Sequence, residues 1–302
     1  MSLEQLDIIK CGFRDLYAGW GAGVGIAQMR REWDAFLTLT RIDAAAQDVD
    51  ADGVRCRWIR AAAAREDRTI LYLHGGGYQI GSTDSHFNAM AALSLHTGCR
   101  VLGVDYRLAP EHKFPAAVDD AFAAWCWLTQ QGVDAKHIAL CGDSAGGGLI
   151  IALMALLRER SMAQPAAAVA MSPWVDMEAG DASFSRNAQR DPVTQRQNLL
   201  LMARAYLGRS GNPRDPLASP VHANLAGLPP LLVQVGSDEV LYGDAVQLTQ
   251  RAIAQGVEAR LAVWPDMIHT FQLFVGRLDE ADQALREAAD FLHKEMNMGT
   301  RQ

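Results

Sequence analysis

A chain of 302 residues, 49% apolar and 21% charged, can fill one large folded core, which excludes a disordered or fibrous protein. Its net charge of -7 excludes a nucleic-acid backbone as partner, and no polybasic run offers itself to an anionic membrane. Five cysteines, an odd number without a C-x-x-C pair, exclude a disulfide framework and a zinc cluster and suit a reducing cytoplasm.

Residues 1–45 read as helix, interrupted by glycines between Gly19 and Gly25, with no β-like run. Glu4 and Asp7 precede any basic side chain, unlike the start of a secretory signal. Residues 16–29 are too short and too glycine-rich to span a bilayer, so a cytoplasmic protein is expected. A hairpin follows, with strands over 47–50 and 54–59 about an Asp52-Gly53 turn. From residue 69 onward, buried-looking strands over 69–73, 101–104, 137–141, 167–171, 231–235 and 259–263 alternate with helical patterns. Those helices are expected over 85–95, 116–130, 145–158, 240–255 and 281–294. The alternation predicts an α/β fold: a mostly parallel sheet with an antiparallel N-terminal edge, helices on both faces and right-handed crossovers. Residues 176–220 break the rhythm, being polar and proline-rich with one helix candidate over 194–207. The expected organisation is one α/β domain over 46–302, with 1–45 as a cap segment and 176–220 as a cap insertion.

Gly142-Asp143-Ser144-Ala145-Gly146 is a G-x-S-x-G sequence set between an apolar strand and a long apolar helix. That setting forces the serine into a strained turn and projects its hydroxyl above the sheet as a nucleophile. His74-Gly75-Gly76-Gly77 closes an earlier strand, and its exposed amides suit a carbonyl oxygen gaining negative charge. His74 itself reads as a residue that orders this loop. A nucleophilic serine needs a base and an acid, which on such folds follow it in the order acid, then histidine. His222 and His293 lie in the insertion and the last helix. His269, just after the last strand, is the expected base. Asp238, directly after the strand over 231–235, is the expected acid. Glu239, read as a helix-start charge, and Asp244, read as a surface residue, are the runners-up, and Asp266 reads as a loop residue.

These motifs, with Asp105-Tyr106-Arg107-Leu108-Ala109-Pro110-Glu111, resemble the bacterial hormone-sensitive-lipase-like esterases of the α/β-hydrolase superfamily between residues 69 and 275. The resemblance implies oxyanion donors at the amides of Gly76, Gly77 and Ala145. It implies a structural buried ion-pair and turn element over 106–111 and a helical cap before residue 45. It also implies hydrolysis of short- to medium-chain esters by a Ser144–His269–Asp238 triad, with neither metal nor organic cofactor.

Other chemistries fare worse. Gly21-Ala22-Gly23-Val24-Gly25 lacks both the third glycine, replaced by Ile26, and the preceding strand of a dinucleotide fingerprint. No metal-ligand spacing such as H-E-x-x-H occurs. A non-catalytic receptor for a small molecule would be expected to have lost His269. An amidase or lactonase on the same triad stays open. The expected partner is a small ester, and the sequence is compatible with a homodimer without fixing the oligomeric state.

Overall fold

The computed structural model describes residues 2–297 apart from Ala22; Met1, Ala22 of the glycine-rich stretch, and residues 298–302 of the expected α/β domain lie outside the described residues. Helices α1 (Leu3–Ala18) and α2 (Ile26–Leu37) come first, separated by the glycine-rich stretch. Strands β1 (Ala45–Ala51) and β2 (Val54–Arg60) form the hairpin, with Ala51 facing Val54 across the turn. Asp52 and Gly53 both take positive φ, the conformation that matches a two-residue turn to the twist of the strands.

The chain then alternates through β3 (Arg65–Leu73), α3 (Phe87–Thr97), β4 (Cys99–Val104), α4 (Ala116–Gln130), β5 (Ile138–Asp143), α5 (Ala145–Glu159) and β6 (Ala167–Met171). Next come α6 (Ser183–Arg186), α7 (Arg196–Leu207), β7 (Leu231–Gly236), α8 (Tyr242–Ala254), β8 (Ala259–Trp264) and α9 (Asp279–Glu295). Among the described residues the eight strands form one sheet in the order β1-β2-β4-β3-β5-β6-β7-β8. The pairs β1/β2 and β2/β4 are antiparallel and the others parallel.

Strands β5, β6 and β7 are buried along their whole length, as apolar runs covered on both faces should be. Helices α4, α5 and α8 pack on one face. Helices α3 and α9 pack on the other. The expected burial fails at β8, which is an edge strand with Val263 exposed. Helix α5 lies so close to β3 that a Cβ at Gly146 would sit 1.9 Å from the Leu73 carbonyl oxygen. Helices α1 and α2 pack through Leu6, Ile9, Phe13 and Trp33 against Ile80, Val193 and Phe274, above the carboxyl ends of the strands. Among the described residues, no helix is long and apolar enough to cross a membrane.

Candidate active site

Ser144 stands at the end of β5, where the strand turns into α5, with φ 50° and ψ −120°. A non-glycine residue holds such a conformation only where its surroundings fix it. Here the Ser144 amide donates to the Met171 carbonyl at 2.9 Å, and its carbonyl accepts from Trp174 at 2.9 Å. The Oγ hydroxyl meets Nε2 of His269 at 2.9 Å.

His269 follows β8 and is buried. Its Nδ1–H donates to Oε2 of Glu239 at 3.0 Å, not to Asp238. The sequence reading of the acid is thus corrected by one position. The amide of Asp238 donates to the Met267 carbonyl, and its carboxylate, itself largely buried, faces Arg190 at 3.5 Å and the Ser237 hydroxyl at 3.5 Å. Glu239 is fully buried, and its second oxygen accepts from the Ser172 hydroxyl at 2.7 Å and the Gly236 amide at 2.6 Å. Ser172, at the end of β6, also accepts from the Thr270 amide and so ties Glu239 to the loop of His269. Burial, the largest influence, disfavours the imidazolium of His269. The hydrogen bond and charge of Glu239, with the charges of Asp191 and Asp143, outweigh it and raise the His269 pKa above its ordinary value.

The other acidic candidates lie elsewhere. Asp266 is exposed in the loop, its amide bonded to Ser237. Asp244, expected at the surface, is instead buried at the start of α8, accepting the amides of Val175 and Asp176. Burial lifts its carboxyl to about 8.

Gly76 and Gly77 have φ of 109° and 61°, and with Ser144 they line the same cavity. Among the described residues, the amides of Gly76, Gly77 and Ala145 donate to no protein group. Ala145 opens α5, whose amino end adds a positive dipole beside the Ser144 hydroxyl. Beneath them Asp143 accepts from Tyr72 at 2.8 Å and from the Gly75 amide at 3.1 Å, and pairs with His86 at 3.2 Å, all buried. Burial pushes Asp143 up, but the charge and hydrogen bond of His86 hold its carboxyl below the usual range. His74 stacks on Tyr106 at 4.2 Å, and burial lowers its pKa to about 4, which suits a loop-ordering role. In the 106–111 element, Arg107 binds Asp120 at 2.7 Å with its own side chain half exposed, so the expected buried pair is buried only on the acid side.

The cavity, of about 460 Å³, is walled by Tyr17, Trp20, Met29 and Trp33 from α1, α2 and their connection. The insertion contributes Val193, Thr194, Leu199 and Met202. Asp176, Glu178 and His222 each offer one ligand atom within 4.8 Å of the others, but none lines this cavity, and Glu178 is engaged by Arg214 at 2.7 Å.

The family model described as the alpha/beta hydrolase fold matches residues 70–273. An acetyl-hydrolase of Streptomyces hygroscopicus is 44% identical over 235 residues, 78% of each chain. The esterase LipU of Mycobacterium tuberculosis is 33% identical over 284 residues, covering 92% of this chain and 94% of LipU. The crystal structure of an esterase from the bacterial hormone-sensitive lipase family superposes with a TM-score of 0.94 at 45% identity, covering 97% of this chain and 98% of the other. A G-x-S-x-G turn on a doubly wound sheet, together with these likenesses, shows that the chain belongs to the bacterial hormone-sensitive-lipase-like family of serine esterases within the α/β hydrolases.

Proposed function

We propose that the protein hydrolyses short- to medium-chain carboxylic esters through a Ser144–His269–Glu239 triad and an acyl-enzyme intermediate. The observation that carries this reading is the continuous hydrogen-bonded line from the Ser144 hydroxyl through His269, both lining the cavity, to the buried Glu239 behind them. Ser144 Oγ attacks the ester carbonyl while His269 Nε2 takes its proton, and Glu239 holds Nδ1 protonated and stabilises the imidazolium. The oxygen of the tetrahedral intermediate gathers charge against the amides of Gly76, Gly77 and Ala145. Collapse transfers the proton from Nε2 to the departing alcohol and leaves the acyl group on Ser144. Water then enters with His269 as base and releases the acid. All these groups belong to the chain itself, and the scheme routes no step through a metal or organic cofactor. The acetyl-hydrolase name of one relative supports a small acyl group. The five free cysteines, three of them buried, support a cytoplasmic setting.

The cavity size falls in the range that encloses small molecules. Residues 1–45 and 176–220 act as the cap over it. Each methylene that fits contributes roughly 0.8 kcal/mol, and the gain reverses once the chain outgrows the space. Turnover per KM should rise or level off from p-nitrophenyl acetate to hexanoate and fall steeply by about twelve carbons. Efficient hydrolysis of emulsified long-chain triglyceride, with a jump at the solubility limit, would refute this chain-length reading. Preference for matched amides or lactones would replace the ester assignment.

A further inference from the structure

The peptide unit joining Glu239 to Val240 is gripped on both of its polar sides by side chains from the insertion. Asn187 Nδ2 donates to the Glu239 carbonyl at 2.7 Å and to the Ser237 carbonyl at 3.0 Å. Asp191 Oδ2 accepts the Val240 amide at 2.9 Å. The two residues are braced against each other, since the Asp191 amide donates to the Asn187 carbonyl at 3.0 Å. Both are buried. The other carboxylate oxygen of Asp191 accepts the amides of Val193 at 2.9 Å and Thr194 at 3.4 Å, two residues that wall the cavity.

We propose that Asn187 and Asp191 are positioning residues that clamp the 239–240 peptide and so hold the Glu239 carboxylate in line with His269. The inference rests on the triad reading given above. Three side-chain-to-backbone bonds fix the turn from outside, while Ser172 and the Gly236 amide fix the carboxylate from inside. Neither Asn187 nor Asp191 lines the cavity, so neither touches substrate. The clamp also joins the acid to the wall of the substrate site through one carboxylate. Asparagine at position 191 cannot replace it, because its amide nitrogen would face an N–H donor on one side or the other.

The test uses the full-length protein and p-nitrophenyl butyrate. Asn187→Ala and Asp191→Asn, each checked for folding by circular dichroism and thermal midpoint, should lose roughly 10- to 100-fold in kcat, the size of effect that small misplacement of a catalytic group produces. KM should stay within about threefold of the parent, because the lost interaction serves the transition state. The distinguishing measurement is Asn187→Ala placed in a Glu239→Gln background. With the acid already lost, removing the clamp should cost little more, since residues acting as one unit are not additive. An equal loss in both backgrounds would assign Asn187 a merely structural role and overturn the proposal. So would a folded Asn187→Ala with the parent's kcat. Parental turnover in Glu239→Gln alone would instead overturn the triad reading, so the two failures are separable.

Discussion

Replacing Glu239 by glutamine separates the acid proposed here from the one expected one position earlier. The carboxylate has three donors around it: the Ser172 hydroxyl and the Gly236 amide on one oxygen, and His269 Nδ1–H on the other. In Glu239→Gln the amide oxygen can serve the first two donors, which leaves the NH2 group facing Nδ1. Rotating the amide would instead turn NH2 against two donors, at a cost of about 1–3 kcal/mol for each group left unsatisfied. The first orientation therefore prevails. It forces Nδ1 to accept and places the ring proton on Nε2, the nitrogen that must take the proton of Ser144. The same tautomer error in a serine protease lowers kcat by about 10⁴, or about 5 kcal/mol at 1.36 kcal/mol per tenfold. Asp238→Asn removes the charge that faces Arg190, whose side chain is 65% exposed, and keeps an oxygen for the Ser237 hydroxyl. A pair of that kind is worth at most about 1 kcal/mol, so its kcat should stay within about threefold to fivefold of the parent. Steady-state hydrolysis of p-nitrophenyl butyrate by the two folded variants decides the matter. If Asp238→Asn proves the more damaging change, the tautomer argument is wrong.

The remaining perturbations address the base, the elbow and the cap. The rate must fall as pH drops and His269 is protonated. Because the His269 pKa is raised, the acid limb of kcat/KM should have its midpoint above 6.5, and Glu239→Gln should move it down as burial takes over; an unmoved limb would contradict this. Gly146→Ala sets a methyl group 1.9 Å from the Leu73 carbonyl oxygen and 2.5 Å from that of His74, so it should destabilise by about 3 kcal/mol or more in urea titration; stability like the parent's would show that α5 and β3 can separate freely. Deleting residues 1–40 uncovers Ile80, Val193, Phe271 and Phe274 and strips Tyr17, Trp20, Met29 and Trp33 from the cavity wall. Dye binding to exposed apolar surface should rise and ester turnover fall although Ser144, His269 and Glu239 remain, and unchanged kinetics would remove the cap from this account.

Much of the frame is legible in sequence because it is written in local signals. Strands β5, β6 and β7 are uninterrupted apolar runs, the Asp52-Gly53 turn announces its hairpin, and the glycines about Ser144 mark a close approach of strand and helix. His269 is legible because few histidines follow Ser144. The carboxylate that meets His269 is not, because Asp238 and Glu239 are neighbours on one tight turn and the pattern does not distinguish them. Which of them does so depends on Ser172, 67 residues away, and on the Gly236 amide. Ser172 had a signal of a kind, since it ends a buried strand on the side where the loops gather. Asn187 and Asp191 had none, lying in a polar insertion whose pattern resembles any surface loop. The edge position of β8 is likewise hidden, because its apolar residues match those of a central strand.

What these separate pieces share is the rim of the sheet, where backbone strain is gathered. Tyr78, Ser144, Ser172, Asp266 and Thr270 all have positive φ, and all lie on loops leaving the carboxyl ends of the strands. A sparsely populated positive-φ conformation costs an L-residue roughly 1–3 kcal/mol, so the five together oppose folding by an amount comparable with a domain's net stability of about 5–15 kcal/mol. Such a rim persists only if the ladder beneath it continues into the loops, and it does. The amides of Ser144, Ser172 and Ser237 donate to the carbonyls of Met171, Gln234 and Trp264, each reaching the next strand of the sheet. Ser144, Ser172 and the turn that carries Glu239 are therefore extensions of β5, β6 and β7. Their strain is met when the chain folds rather than when substrate arrives. Hydroxyl, imidazole and free amides then face the cavity already aimed at the charge that develops, and little reorganisation is left for the chemical step.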